Sequence, residues 1–225
     1  MTSLPGTHVI KPKIISIDGG IGAGKSTLLA KLKKDCPEWN FIDEPVDYWM
    51  KLKDEEGRSI LELFYSDKKR WSFTFQNTAY LTRVRSTLKA IENWQKLCEA
   101  DPSKYGNNVF ITERSVETDY NVFAKMLHDS GLLTKIEWDI YRQWFHHLQS
   151  GCEVAGIVYL TTNPKTCKER IIVRGREGED DINLDYLTDL DRYHKKWVSE
   201  TTIPVLEFNT DGDSTAAIKE FIDSL

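Results

Sequence analysis

Residues 13–27 read KIISIDGGIGAGKST, and this stretch decides the fold. Its opening, KIISID (13–18), is the short β-rich apolar run expected of a parallel strand buried on both faces. The next eight residues, GGIGAGKS (19–26), satisfy G-x-x-x-x-G-K-[ST] from Gly19 through Gly24 and Lys25 to Ser26. Glycines let backbone N–H groups turn inward on a phosphate, and the N-terminus of the next helix adds positive field. Lys25 then reaches the β and γ phosphates, and Ser26 can bind Mg²⁺. The motif stands in the context it needs, with a strand before it and a helical pattern after it. The expected ligand is therefore a nucleoside triphosphate, ATP with Mg²⁺, cradled by Gly19, Gly20, Ile21, Gly22, Ala23, Gly24, Lys25, Ser26 and Thr27.

Four further runs of the same kind occur along the chain: FID (41–43), VFIT (109–112), AGIVYL (155–160) and PVLEF (204–208). Strands alternating with helical patterns predict a doubly wound α/β fold, a five-stranded parallel sheet flanked by helices. Thr134 with Glu137 makes a capping box, Asn163 with Pro164 an N-cap and N1 pair, and Asn183 a third N-cap. The longest helical pattern runs from Ser66 to about Ala100, which at about 1.5 Å per residue exceeds about 45 Å and suggests a bundle or dimer contact beside the sheet. No repeat, low-complexity tract or Pro/Gly/Ser linker marks a boundary, so one domain over residues 1–225 is expected.

Lys plus Arg number 30 against 35 Asp plus Glu, and a net charge of −5 argues against a nucleic-acid footprint, which needs a basic face. No apolar run approaches the roughly 20 residues of a membrane span. Cys36, Cys98, Cys152 and Cys167 form no C-x-x-C pair and read as free thiols in a reducing compartment. The first twelve residues, MTSLPGTHVIKP, have neither the apolar core of a signal peptide nor the arginines of a transit peptide. The expected location is the cytoplasm, or the nucleus by default.

The base-reading pattern N-K-x-D is absent, since TNPK at 162–165 lacks the Asp, and so is the L-S-G-G-Q of transporter-type ATPases. Small-molecule kinases remain. A neutral hydroxyl acceptor benefits from a carboxylate that takes its proton, and that carboxylate belongs at a strand end beside the phosphate loop. Glu44 in FIDEPVDYW (41–49) fits, with Pro45 restricting it to extended backbone and Asp43 expected as support, oriented into the strand end or toward a neighbouring polar group. Glu113 and Arg114 end the third strand; the acid suits Mg²⁺ or its water, and the arginine suits that acid or a transferring phosphate. Arg170, Arg174 and Arg176, three guanidiniums expected to face one direction before a glycine-punctuated acidic loop, suggest a lid that closes on polyphosphate. His146 and His147 adjoin on one helix and point apart, so they read as helix surface or core rather than metal ligands.

The ordered motifs GGIGAGKST, DEPVDYW, RWSFTFQ, ERS and RGRE, spread over roughly residues 13–210, resemble the deoxyribonucleoside kinases. The likeness is to the branch that takes deoxycytidine, deoxyguanosine and deoxyadenosine. It implies a P-loop kinase fold, an arginine-rich lid at about 174–183, a homodimer through long helices, and ATP-dependent phosphorylation of a deoxynucleoside 5′-hydroxyl. By the same resemblance Glu44 is the catalytic base, Arg114 lies beside the 5′-hydroxyl and phosphate, Lys25 and the lid arginines hold ATP, and Ser26 and Glu113 face the metal. Tyr65 matches the residue on the sugar 3′-hydroxyl, partnered by Glu179, or by Glu177 if the loop carries a gap. Gln76 matches the glutamine on the base, with Ala79 and Arg83 on the same helix face; Asp119 pairs with Arg83. Trp49, Phe75 and Phe123 match aromatic walls, and Ile21 and Leu61 an apolar floor. Gly20 departs from the family, which usually has Asn there.

A buried Arg83–Asp119 pair implies a substrate edge with matching donors and acceptors. Asp119 accepts from an exocyclic amino group, as on cytosine or adenine, and guanine engages Arg83 through O6. Thymine presents a carbonyl to Asp119, so thymidine is expected to be a poor substrate. Rival readings are a nucleoside monophosphate kinase, and a non-catalytic nucleotide-binding protein that retains the phosphate loop.

Overall fold

The computed structural model describes residues 11–179, 181–210, 212 and 214–225. The segment 1–10, on which the targeting expectations mostly rest, and Asp180 of the expected lid lie outside the described residues. The elements in chain order are β1 (Lys13–Asp18), α1 (Lys25–Asp35), β2 (Asn40–Ile42), α2 (Val46–Lys51), α3 (Ile60–Ser66) and α4 (Lys68–Ala100). Next come a 3-10 turn (Pro102–Gly106), β3 (Val109–Glu113), α5 (Val116–Thr118), a π-helical turn (Asp119–Ala124) and α6 (Lys125–Asp129). The chain closes with α7 (Lys135–Leu148), β4 (Val154–Leu160), α8 (Pro164–Arg174), α9 (Leu184–Glu200), β5 (Val205–Phe208) and α10 (Thr215–Ser224).

The described strands form one sheet in the order β2-β3-β1-β4-β5, with every pairing parallel. Helices cover both faces, which is why Ile15, Ile17, Ile111, Ile157 and Val158 have no exposure and the strands read as apolar runs. β1 is central. Its C-terminal end, and those of β2, β3 and β4, open on one edge, where ligands bind in sheets of this kind.

Two boundaries differ from the sequence reading. The long helix does not start at Ser66: that residue ends α3, and Asp67 breaks the chain by capping α4, its carboxylate accepting from Arg70 N–H at 3.0 Å. The second strand covers 40–42 rather than 41–43, because its ladder with β3 stops at Ile42 opposite Thr112. Asp43 is thereby left exposed, at 72%, and turns toward a neighbouring polar group, pairing with Lys33 at 2.7 Å, rather than into the strand end. The caps at Thr134, Asn163 and Asn183 all form.

α4 is the element that positions the site. At 33 residues it is about 50 Å long. Its second half packs Ile91, Trp94 and Cys98 against Ile14, Ile42 and Phe110 of the sheet. Its first half overhangs the C-terminal edge and buries Phe75, Gln76, Ala79 and Arg83 there, at the i, i+3, i+4 spacing that keeps one helix face inward.

Candidate active site

The loop after β1 has the backbone that only glycine supplies. At Gly22, with φ +79°, an added Cβ would lie 2.5 Å from the Cys167 carbonyl oxygen, so α8 approaches too closely for any side chain. Gly20 is different: a Cβ there meets only Cys167 Sγ, at 3.8 Å, so the position could carry the side chain the family usually has. Lys25 is buried and folds over the loop, Nζ donating to the Gly19 and Gly20 carbonyls at 3.1 and 2.7 Å. Burial and the nearby Arg114 cation outweigh Glu113, Glu44 and Asp18 and bring its pKa down to about 8. Ser26 Oγ donates to Glu113 Oε2 at 3.0 Å, and Glu113 Oε1 lies 3.8 Å from Lys25 Nζ. A hydroxyl and a carboxylate side by side at the mouth of a phosphate cradle are the oxygen donors that suit Mg²⁺.

Glu44, just past β2, is the hub of a buried ion cluster. Its Oε1 accepts from Arg114 Nη1 at 2.7 Å and Arg83 Nη2 at 3.0 Å. Arg83 also donates through Nε to Asp119 Oδ2 at 2.8 Å and through Nη1 to the Glu113 carbonyl at 2.6 Å. Burial raises the Glu44 pKa, but Arg114, Arg83 and Lys25 overcome it and hold it at about 2. Burial pushes Asp119 up, and Arg83 opposes that only in part. The expected Arg83–Asp119 pair is thus present, and it extends to Glu44, a link that sequence spacing did not reveal. Arg114 has φ +63°, the left-handed region, at a cost of about 1–3 kcal/mol for a non-glycine residue.

A cavity of about 320 Å³ opens beside this cluster. Glu44, Arg83, Arg114 and Asp119 form its charged wall, and Gln76 and Ala79 line it from α4. Trp49, Phe75 and Phe123 supply aromatic surface, and Ile21, Leu61 and Tyr65 lie on its wall. Trp49 is buried: its ring meets Phe75 edge-on at 5.4 Å, and Nε1 donates to Thr82 Oγ1 at 3.0 Å. Pro45 serves as the N-cap residue of α2, the helix that carries Trp49 inward. Gly22, Lys25, Ser26 and Glu113 reach the same cavity from the phosphate loop side.

The lid arginines do not face one direction. Arg174 and Arg176 turn into the cavity and pair with Glu179 at 2.6 and 3.2 Å. Arg170 points the other way along α8, donating to the Ala23 carbonyl at 3.1 Å. There it lines a second cavity with Gly24, Thr27 and Lys31. α8 ends at Arg174 with Gly175 as its left-handed C-cap, so Arg176 lies beyond the helix. Between the two candidates for the sugar, Glu179 is buried and lines the cavity, whereas Glu177 is exposed. Gly178 lets the lid lie on α3, since a Cβ there would meet Glu62 Cγ at 2.6 Å. His146 and His147 are both exposed on α7.

The family model for deoxynucleoside kinases matches residues 15–224. The chain belongs to the deoxynucleoside kinase family. Deoxycytidine kinase 2 of Gallus gallus is 40% identical over 207 residues, covering 85% of this chain and 76% of the relative. Deoxycytidine kinase of Homo sapiens is 33% identical over 256 residues, covering 99% and 95%. The mitochondrial deoxyguanosine kinase of Xenopus laevis is 32% identical over 237 residues, covering 94% and 86%. As a member of the deoxynucleoside kinases this chain is an enzyme, with ATP as the phosphate donor.

Sequence reasoning about this deoxynucleoside kinase missed Val46 and Asp47, which line the cavity, and Thr162, whose hydroxyl donates to the Ala23 carbonyl at 2.9 Å. It also passed over Asp18, a fully buried carboxylate at the end of β1. An acid at the end of an otherwise apolar strand was the available signal.

Proposed function

We propose that this kinase transfers the γ-phosphoryl group of ATP to the 5′-hydroxyl of deoxycytidine, deoxyadenosine or deoxyguanosine in preference to thymidine, in nucleotide salvage. The observation that carries this reading is the buried Arg83–Asp119 pair on the cavity wall, 2.8 Å apart and beside Gln76. Asp119 offers an acceptor to an exocyclic amino group, and a thymine carbonyl at that place would face a buried carboxylate with no donor between them. Tyr65, Glu179, Trp49, Phe75 and Phe123 all line the cavity, and in this reading the first two hold the sugar and the three aromatic rings enclose the base.

In this reading Glu44 accepts the 5′-hydroxyl, orients its oxygen and takes the proton as phosphoryl transfer proceeds. A carboxylate with a pKa of about 2 is a weak base, so its main contribution is orientation, with proton transfer late. Arg114 bridges Glu44 and the transferring group, Lys25 holds the β and γ oxygens, and Arg174 and Arg176 leave Glu179 to close on the phosphates. Ser26 and Glu113 hold Mg²⁺, which when bound neutralises charge on the phosphates.

The test is a competition among the four deoxynucleosides at one enzyme concentration, read as kcat/KM. Thymidine is expected to be the poorest by at least about tenfold, a difference of about 1.4 kcal/mol. Comparable turnover of thymidine overturns the base preference. Turnover of a nucleoside monophosphate but of no nucleoside overturns the acceptor assignment.

We further propose one domain over residues 1–225, with the lid at about 174–183, and a homodimer. Ile136, Ile140 and Trp144 are exposed at i, i+4 and i+8 on α7, next to Leu81 and Leu88 exposed on α4. The two helices are joined through Tyr80, whose hydroxyl donates to the Trp144 and Phe145 carbonyls. A second copy would cover these exposed apolar side chains. Among the described residues no helix is long and apolar enough to cross a membrane. Cytoplasmic residence is proposed on the four buried free thiols; recovery of the tagged chain with mitochondria would overturn it.

A further inference from the structure

Arg114 is the only non-glycine residue with positive φ among the described residues, and the groups that hold it there lie behind the site rather than in it. Its N–H donates to the Ile17 carbonyl at 3.1 Å, and its own carbonyl accepts from Thr112 Oγ1 at 2.9 Å. Next in the chain, Ser115 caps α5. Ser115 N–H donates to Thr118 Oγ1 at 3.1 Å, Thr118 N–H donates to Ser115 Oγ at 3.2 Å, and the two hydroxyl oxygens lie 2.9 Å apart. The Thr118 hydroxyl spends its single proton on Asp18 Oδ1, at 2.6 Å, so Ser115 is the donor in the hydroxyl pair. Asp18 Oδ2 accepts from Ser16 Oγ, also at 2.6 Å. Ser16, Asp18 and Thr118 have no exposure, and neither Asp18 nor Thr118 lines the substrate cavity.

We infer that Asp18, acting through Thr118, is a positioning residue that keeps Arg114 left-handed and so aims its guanidinium at Glu44 and the acceptor oxygen. A left-handed arginine relaxes unless its surroundings over-determine it. The turn on its C-terminal side is anchored to the end of β1 by one side-chain bridge, the Thr118–Asp18 bond. Thr118 and Ser16 each donate to a different oxygen of the Asp18 carboxylate, which fixes its orientation at the end of β1. The phosphate loop leaves β1 at Gly19, directly after Asp18. One buried carboxylate therefore sets the loop that holds the donor and the turn that holds the acceptor in mutual register.

The inference rests on the reading of Arg114 as a group at the reacting atoms, and the two are tested separately. Arg114→Ala tests the reading: a variant that keeps wild-type kcat on deoxycytidine removes Arg114 from the site. Thr118→Val tests the inference, since it keeps shape and removes the hydroxyl. Its kcat is expected to fall up to about 10²-fold, the loss that comes from misplacing a catalytic group by about 1 Å, with the nucleoside KM little changed. Thr118→Ser is expected to restore kcat. Where Thr118→Val does not fold, Asp18→Ala takes its place with the same expected split, and Asp18→Asn, whose amide oxygen still accepts from Thr118 while its NH2 donates to Ser16 Oγ, is expected to restore kcat. A folded Thr118→Val or Asp18→Ala enzyme with wild-type kcat overturns the inference. So does a loss of activity that tracks only the loss of folded protein, or conservative variants that fail to restore the rate.

Discussion

Glu44 sits under two guanidiniums, and that arrangement governs how the active centre responds to substitution and to pH. Glu44→Gln keeps the volume but removes the charge that Arg83 and Arg114 share, so kcat is expected to fall by about 10² to 10⁴ with nucleoside affinity largely kept. Steady-state kinetics with an independent binding measurement would check this, and full activity would remove Glu44 as the base. With its pKa at about 2, Glu44 stays ionised through the working range and sets no acidic limb there. Lys25 behaves in the opposite sense. Its pKa of about 8 in the unliganded protein means that the ammonium loses its proton as pH rises through 8, and triphosphate binding weakens with it. A bound polyanion favours the charged form and raises that pKa. The alkaline fall in kcat/KM for ATP is therefore expected near pH 8, with kcat holding to higher pH; coincident alkaline limbs in the two profiles would contradict this. Asp119 and Trp49 were legible in the sequence as pocket residues only through motif resemblance, because their neighbours come from other parts of the chain.

At the scale of elements, α4 links the proposed base-reading Asp119 to the proposed base Glu44, because one side chain, Arg83, touches both. It reaches Asp119, Glu44 and the Glu113 carbonyl from a single helix position. Arg83→Met alone strands Asp119 in a buried site and takes a cation from Glu44, so it is expected to cost about 3–5 kcal/mol of stability along with activity. Adding Asp119→Ala removes the stranded charge. The double variant should be more stable than the single one in urea unfolding and should show an increased thymidine to deoxycytidine ratio in kcat/KM. A double variant less stable than Arg83→Met, or no gain on thymidine, counts against the pair. Helix caps were readable at this scale because they depend on neighbours three residues apart. The split between α3 and α4 at Asp67 was not, since apolar spacing continues across it and a capping carboxylate in mid-pattern looks like one more polar residue.

For the whole molecule, the exposed apolar face on α4 and α7 predicts assembly. Ile140→Glu combined with Trp144→Glu places charges in the proposed interface, and the variant is expected to sediment as a monomer where the wild type sediments as a dimer. A monomeric wild type at micromolar concentration would contradict the proposed dimer. Five strands, the phosphate cradle and the strand-end acids could be read from the chain itself, because apolar runs, glycine spacing and caps are local in sequence and their physics acts over a few residues. The convergence of Arg83 on Glu44 could not, nor could the parting of Arg170 from Arg174 and Arg176, or the Ser16–Asp18–Thr118 bridge behind Arg114. Each depends on distances between segments that are brought together when the helices pack on the sheet. The sequence by itself determined what chemistry this protein carries and on which strand ends; only the tertiary structure decided which charge faces which, because ion pairs and buried hydrogen bonds are settled by ångström-scale proximity that no spacing along the chain encodes.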